Sequence, residues 1–208
     1  MAGVVADEAD SFRREHAYTE LVCAALRKHE AMLRRCFGRL ALQADWPASS
    51  AAALRSTATS SQTAAAAAAA AQGISCDAWV HGMRNFKIVG GDLSERDALN
   101  CFIWSRMVVE NAATVRGQAR EHTLPFEGWL EAVCHLATLK ALPTEAEMEA
   151  SGSVDAGEHM LKLMNANDPS EYERALKERG RAWCSEPPRD LARCVEHTIA
   201  ILGALIMG

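Results

Sequence analysis

The stretch EHTLPFEGWLEA, residues 121–132, has the most distinctive local pattern in the chain. A polar segment ends in Leu124 and Pro125, and an aromatic-led pattern follows at once. Apolar side chains then recur at three- and four-residue spacing, which predicts an amphipathic helix that closes before Pro143. The helical face consists of Phe126, Trp129, Leu130, Val133, Leu136 and Ala137. The stretch therefore predicts one isolated apolar residue that leads directly into a buried helix.

The residues on the N-terminal side of this stretch predict two further helices. The segment from Ser75 to Phe86 has one apolar side, and the glycines Gly90-Gly91 are a suitable stop for it. Ser94, with Asp97 three residues later, provides an N-terminal cap and an acidic first turn for the next helix. We therefore expect residues 74–142 to form a helical core.

Helical segments and a linker surround this core and predict an all-α fold. Residues 11–43 have the apolar spacing of one long amphipathic helix or two shorter ones. Residues 44–72 are rich in Ala, Ser and Thr and include eight consecutive alanines, a run too short to hold an isolated helix in water. We expect a linker there. Residues 143–208 are expected to be helical, and Asp168-Pro169 predicts a helix that runs to about Trp183.

Composition argues against several classes of function. The formal net charge of −5 provides no general attraction to nucleic acid or to anionic membranes. The longest apolar stretch, Ile199 to Met207, is interrupted by Gly203 and has about half the length of a bilayer span. Residues 1–10 lack the basic start of a secretory signal. The seven cysteines are widely spaced, which favours reduced thiols and a cytoplasmic location.

Two features are candidates for contact with a partner protein. Trp46 stands alone before Pro47 in the small-residue linker, where it has little local core to enter, and tryptophan is enriched at binding hot spots. The last helix carries a broad apolar stripe, which is either buried against its own domain or offered to a partner. The stripe consists of Leu191, Val195, Ile199, Leu202 and Ile206. We predict that Trp46 and this stripe bind partners.

The sequence does not have the motifs of the common catalytic and metal sites. Cys134-His135, and Cys194 with His197, lack a Cys-x-x-Cys pair, so we expect core cysteines beside surface or capping histidines. The turn VGGD, residues 89–92, is too short for a phosphate loop and lacks a following Lys-Ser or Lys-Thr. We therefore expect no enzyme activity, no cofactor and no bound metal.

The order of residues around Leu124 resembles the second half of an EF-hand, in which the eighth loop residue pairs with the sister loop. With Leu124 in that position, Gly128 takes the twelfth, where calcium-binding loops carry a bidentate glutamate. Positions one and three are Gly117 and Ala119, and only Glu121 at position five keeps a carboxylate. A tight calcium site is not expected here.

The sister loop can be placed in two ways. With Ile74 in the eighth position, the ligand positions fall on Ala67, Ala69 and Ala71, which have no side-chain oxygen. An alternative phase places Leu93 eighth and puts apolar residues at ligand positions. Neither phase provides the oxygen ligands that calcium requires.

These pieces together resemble the degenerate EF-hand pair of the tubulin polymerisation-promoting protein family and of related ciliary and flagellar proteins. The matching pieces are NFKIVGG at residues 85–91, LSERDA at 93–98 and LPFEGWLEA at 124–132. The resemblance covers residues 74–142, with 26–42 as the entering helix of the first hand. The expected fold is an EF-hand-like helix pair with additional N- and C-terminal helices.

The resemblance implies a non-enzymatic, microtubule-associated adaptor whose partners are other proteins, with tubulin or axonemal proteins among them. The implied location is the cytoskeleton of a cilium or flagellum. Without calcium ligands, a groove between the helices is either permanently filled by the chain's own side chains or permanently available to a partner helix. The alternative is a calcium-responsive regulatory subunit, in which backbone and water ligands replace the missing carboxylates.

Overall fold

Helices joined by one short antiparallel ribbon make up the fold, which confirms the predicted all-α class. The structure is a computed structural model. It describes residues 10–42, 73–106, 122–166, 168–183, 185–186 and 188–208. None of the helices within these ranges has the length and apolar character needed to cross a membrane. Trp46 and the predicted linker at 44–72 lie outside the described residues.

The elements are named here in chain order. They are a π-helical turn Arg13–Ala17, α1 Glu20–Lys28, α2 Glu30–Ala41, β1 Ile74–Ser75, α3 Cys76–Asn85, α4 Glu95–Trp104, β2 Thr123–Leu124, α5 Phe126–Leu139, α6 Glu145–Ala150, α7 Ala156–Met164, α8 Pro169–Arg179 and α9 Leu191–Met207.

The N-terminal region adopts the shorter-helix alternative, preceded by the π-helical turn. Thr19 caps α1, because its side chain accepts a hydrogen bond from the backbone N–H of Val22. His29 separates α1 from α2 with a non-helical ψ of 14°. The apolar spacing continues across this break, so sequence periodicity alone does not locate it.

Strands β1 and β2 form a short antiparallel ribbon, and its register agrees with one of the two sequence placements of the sister loop. Ile74 lies opposite Leu124, and Ser75 lies opposite Thr123. The pairing brings Ile74, and not Leu93, opposite Leu124, and Leu93 is buried in the segment between α3 and α4. The ribbon joins two helix–strand–helix units, α2–β1–α3 and α4–β2–α5.

Side-chain caps start the helices on either side of the ribbon. Ser75 accepts a hydrogen bond from the N–H of Ala78 at the start of α3. Ser94 and Asp97 form a reciprocal capping box at the start of α4, as the sequence predicts. Each cap satisfies backbone donors that the first helical turn leaves without an intrahelical partner.

One apolar core combines the N-terminal helices, the two helix–strand–helix units and α9. Its buried members come from residues 17–41, 74–139 and 191–206. Trp79 and Trp129 are fully buried, and Phe37 packs edge-on against Phe126 with ring centroids 5.4 Å apart. These residues confirm that the aromatic side chains at helical spacing on α3 and α5 are core.

Helix α8 ends at Arg179, earlier than the predicted Trp183. The following Gly180 packs so closely that a Cβ atom would lie 2.9 Å from the Cα of Asp92. The N–H of Arg181 then donates to the carbonyl of Leu139 at 3.1 Å. The helix ends here because these contacts hold residues 180 and 181 against Asp92 and against the end of α5.

A buried ion pair fixes the α3–α4 loop to the end of α5. The side chains of Lys140 and Asp92 are 4% and 0% exposed. Lys140 Nζ donates to Asp92 Oδ1 and to the carbonyl of Ile88, both at 3.0 Å. The N–H of Ala141 donates to Asp92 Oδ2 at 2.9 Å. The carboxylate thus serves both a buried ammonium group and a buried backbone donor.

We expect Asp92→Ala to lower the free energy of unfolding by about 3–5 kcal/mol, because it leaves a buried ammonium group without its counter-charge. Urea unfolding of the variant measures the change. Glu95→Ala is the control, since it breaks an ion pair with Arg84 on the surface and should change little. Equal unfolding midpoints for the two variants would contradict the structural role of the buried pair.

Candidate functional site

The predicted partner stripe on α9 faces the chain's own core. Its members are Leu191, Val195, Ile199, Leu202 and Ile206, and none is more than 5% exposed. They are buried because α9 packs against α1, α2, α5 and α7. The prediction that this stripe is a partner surface is therefore corrected: the stripe is buried against the chain's own helices.

Small residues allow α9 to approach its neighbours closely. A Cβ atom at Gly157 on α7 would overlap the backbone carbonyl of Ala200. A Cβ atom at Gly203 would overlap the sulfur of Met32 on α2. Helix packing at such short range leaves no room for a partner helix in the same place.

Gly128 occupies a position that has no space for a side chain. It is the residue that falls where calcium-binding loops carry their bidentate glutamate. A Cβ atom on it would lie 2.8 Å from the carbonyl oxygen of Ser105 and 3.3 Å from the side chain of Leu124. The other predicted loop positions, from Ala67 to Ala71 and from Gly117 to Glu121, lie outside the described residues.

The described residues also lack a metal-binding cluster. No group of three His, Cys, Asp or Glu side chains among them is arranged to hold a metal ion. The candidate pairs Cys134-His135 and Cys194 with His197 are not brought together with further ligands there. Their histidines are buried, His135 at 4% and His197 at 8% exposure, so the expectation of surface histidines is wrong.

We expect Gly128→Ala to lower the free energy of unfolding by about 1–3 kcal/mol through overlap with Ser105. Gly38→Ala on α2 is the matched control, because nothing lies within 4 Å of the position that an added Cβ atom would take and alanine favours the helix by about 0.5–1 kcal/mol. Thermal unfolding compares the two. A stabilised Gly128→Ala variant would contradict the close contact.

A buried carboxylate joins the N-terminal turn to α5. Glu131 is 4% exposed, and Arg13 Nε donates to both of its oxygens at 2.9 and 3.0 Å. The hydroxyl of Tyr18 donates to Glu131 Oε2 at 2.8 Å. A second nitrogen of Arg13 donates to the carbonyl of Trp104 at 2.9 Å. This polar cluster therefore connects the π-helical turn, α4 and α5.

Aromatic rings enclose His135 beside this cluster. Phe12 stacks on the imidazole with centroids 4.1 Å apart, and Trp183 stacks at 5.6 Å. Trp104 lies edge-on to Trp183 at 5.2 Å. His135 Nε2 is 3.9 Å from the nearest Glu131 oxygen, too far for a hydrogen bond, and has no hydrogen-bond partner among the described residues.

The cluster holds its ionisable groups in defined states. Burial lowers the pKa of His135, and the attraction of Glu131 only partly offsets it. Burial alone would raise the pKa of Glu131, but the hydrogen bonds from Arg13 and Tyr18 and the positive charge of Arg13 keep it below its ordinary value. Burial and the Glu131 carboxylate raise the pKa of Tyr18 to about 12. The arrangement therefore consists of an ionised carboxylate beside a neutral imidazole.

This geometry is that of a structural clamp. Both oxygens of Glu131 accept hydrogen bonds from Arg13, and stacked rings cover two sides of the His135 imidazole. A general base needs an oxygen or nitrogen within hydrogen-bond reach of a substrate proton. The clamp instead directs its carboxylate oxygens at the chain's own donors.

We expect His135→Phe to weaken the loss of stability on acidification. Because the pKa of His135 is lowered in the folded state, the unfolded chain takes up its proton first as the pH falls below about 6.5. The free energy of unfolding should therefore fall less for the variant between about pH 7 and pH 5. The exposed His81 provides the control His81→Phe. An unchanged pH profile in the His135 variant would contradict a buried neutral imidazole.

Sequence reasoning missed Arg13 and Glu131. The two are 118 residues apart in the chain, and no local pattern links positions at that separation. The only sequence signal is that Glu131 lies within the apolar run of the helix at 126–139 and four residues before His135. A carboxylate in such a place indicates a distant partner, without naming it.

Comparison with known proteins gives no relative for the chain. No protein-family model, curated protein or solved structure matches it. The fold and its contacts define an all-α protein whose C-terminal helix is part of the core.

Proposed function

We propose that the chain is a non-enzymatic structural adaptor, built on a degenerate EF-hand-like pair that docks onto other proteins without a calcium switch. The observation that carries this proposal is the pairing of Ile74 with Leu124 between the units α2–β1–α3 and α4–β2–α5. EF-hand pairs are joined by an equivalent short ribbon between their loops.

Two further observations support docking that is independent of calcium. The close contact between Gly128 and Ser105 leaves no room for the glutamate that couples calcium to helix movement. Helix α9 packs against α2 and α5, one helix from each helix–strand–helix unit. A movement that separated these helices would expose the apolar stripe of α9 to water, which is unfavourable.

We further propose that the setting is a microtubule assembly in the cytoskeleton, such as the axoneme of a cilium or flagellum. This part rests on the sequence resemblance of residues 85–91, 93–98 and 124–132 to the tubulin polymerisation-promoting protein family. Partners would be tubulin itself or axonemal proteins, contacted through surfaces other than the buried stripe of α9.

We expect the purified protein to pellet with taxane-stabilised microtubules to the same extent in calcium and in chelator. The reason is that the position of Gly128 has no room for the glutamate that couples calcium to helix movement. Sedimentation at a series of tubulin concentrations measures the Kd in each condition, and protein without microtubules is the control.

Two other results of the sedimentation experiment would contradict parts of the proposal. Pelleting that changes with calcium would replace the proposal by the calcium-responsive regulatory subunit. Protein that stays in the supernatant under both conditions would remove direct tubulin binding.

A further inference from the structure

A groove of about 730 Å³ lies on the side of α9 that does not carry the apolar stripe. It is bounded by the junction of α1 and α2, by the segment from α6 to α7, and by α9. Ligand-binding clefts in proteins have volumes of about 300–1,000 Å³. The groove is therefore large enough to receive several side chains of a partner.

Apolar side chains form part of the lining. Met32 comes from α2, Met148 from α6 and Leu161 from α7. Methionine side chains adapt to partners of different shape because they are unbranched and polarisable. Val154, also in the lining, is 91% exposed, so an apolar side chain at the groove remains uncovered.

The groove has an excess of negative charge. Its lining includes five carboxylates, on Glu145, Glu149, Asp155, Glu158 and Glu196, and two permanently cationic side chains, on Lys28 and Arg193. We call this surface the acidic groove. Arg193 is shared between Glu145 and Glu196, and Lys28 also pairs with Glu196. Glu158 pairs with Lys162, which lies outside the lining. Glu149 makes no ion pair or side-chain hydrogen bond with the described part of the chain, so its charge is available to a cation.

A buried imidazole adds an unpaired polar atom to the lining. The side chain of His197 is nine-tenths buried, and its Nε2 lies 3.3 Å from Glu145 Oε1. It has no hydrogen-bond partner among the described residues. Burial lowers the pKa of His197, which favours the neutral ring. A buried polar atom without a hydrogen-bond partner is costly, so the groove is lined by a polar side chain whose needs the chain itself does not fully meet.

We propose that the acidic groove binds a basic amphipathic helix of a partner protein. Apolar residues on one face of such a helix, at i, i+3 or i+4, and i+7, fit against the methionines, and flanking Lys or Arg side chains face the carboxylates. The charge complementarity selects a basic partner and disfavours nucleic acid. This inference names a partner chemistry for the proposed adaptor function and rests on it to that extent.

The test uses a fluorescein-labelled peptide of about 18 residues with Leu and Lys in helical spacing, long enough to form a helix. Fluorescence anisotropy with the full chain measures its Kd. A peptide with Glu in place of every Lys is the control for charge. We expect the Lys peptide to bind and the Glu peptide not to bind.

Two pairs of variants test whether the Lys peptide binds in the acidic groove. Glu149→Lys should raise the Kd about tenfold, whereas Glu173→Lys, the same charge change at an exposed site on α8, should change it less than about twofold. Val154→Ser should weaken binding several-fold. Leu21→Ser, which removes another exposed apolar side chain outside the groove, should not.

Three results would overturn the proposal. They are the absence of binding, an equal loss in Glu149→Lys and Glu173→Lys, and self-association of the free protein that Glu149→Lys abolishes. The last would assign the groove to a second copy of the chain. The assay contains no microtubules, so failure here is distinguishable from failure of the microtubule proposal.

Discussion

Burial of the α9 stripe holds the N-terminal and C-terminal helices of the chain together. Each large aliphatic side chain that leaves water contributes about 1.5–3 kcal/mol, and a whole domain is stable by only about 5–15 kcal/mol. Helix α9 contacts α1, α2, α5 and α7, so it joins the N-terminal helices to the C-terminal ones. Without it, the apolar faces of these helices would be open to water.

The same burial decides which surfaces remain for function. A helix face that is buried in the chain's own core is not available to a partner. The stripe of α9 is such a face, while the other side of the helix lines the acidic groove with Arg193, Glu196 and His197. One helix therefore has one side in the core and one side on a surface groove. Its two sides differ because Arg193, Glu196 and His197 fall at helical spacing on one side of its first half, and the apolar stripe falls on the other side.

The sequence predicts local features of this structure well and distant ones poorly. Periodicity and caps place α3, α4, α5 and α9, whereas the spacing of apolar residues leaves both Ile74 and Leu93 as partners for Leu124, and only the structure shows that Ile74 pairs with it. Periodicity also identifies the α9 stripe, but it does not say what covers that stripe, because core and interface have the same apolar pattern. The ion pair between Asp92 and Lys140 and the clamp on Glu131 depend on approach through space, which no spacing in the sequence encodes.

The π-helical turn shows how a local distortion serves such a distant contact. In this turn the N–H of Tyr18 donates to the carbonyl of Arg13 at 2.9 Å, five residues back, where an α-helix would bond four back. The wider turn brings residues five apart closer to the same side, so that Arg13 and Tyr18 both reach Glu131. A regular α-helix would rotate Tyr18 away from the carboxylate. The less favourable local geometry is retained because the buried charge would otherwise lose one of its donors.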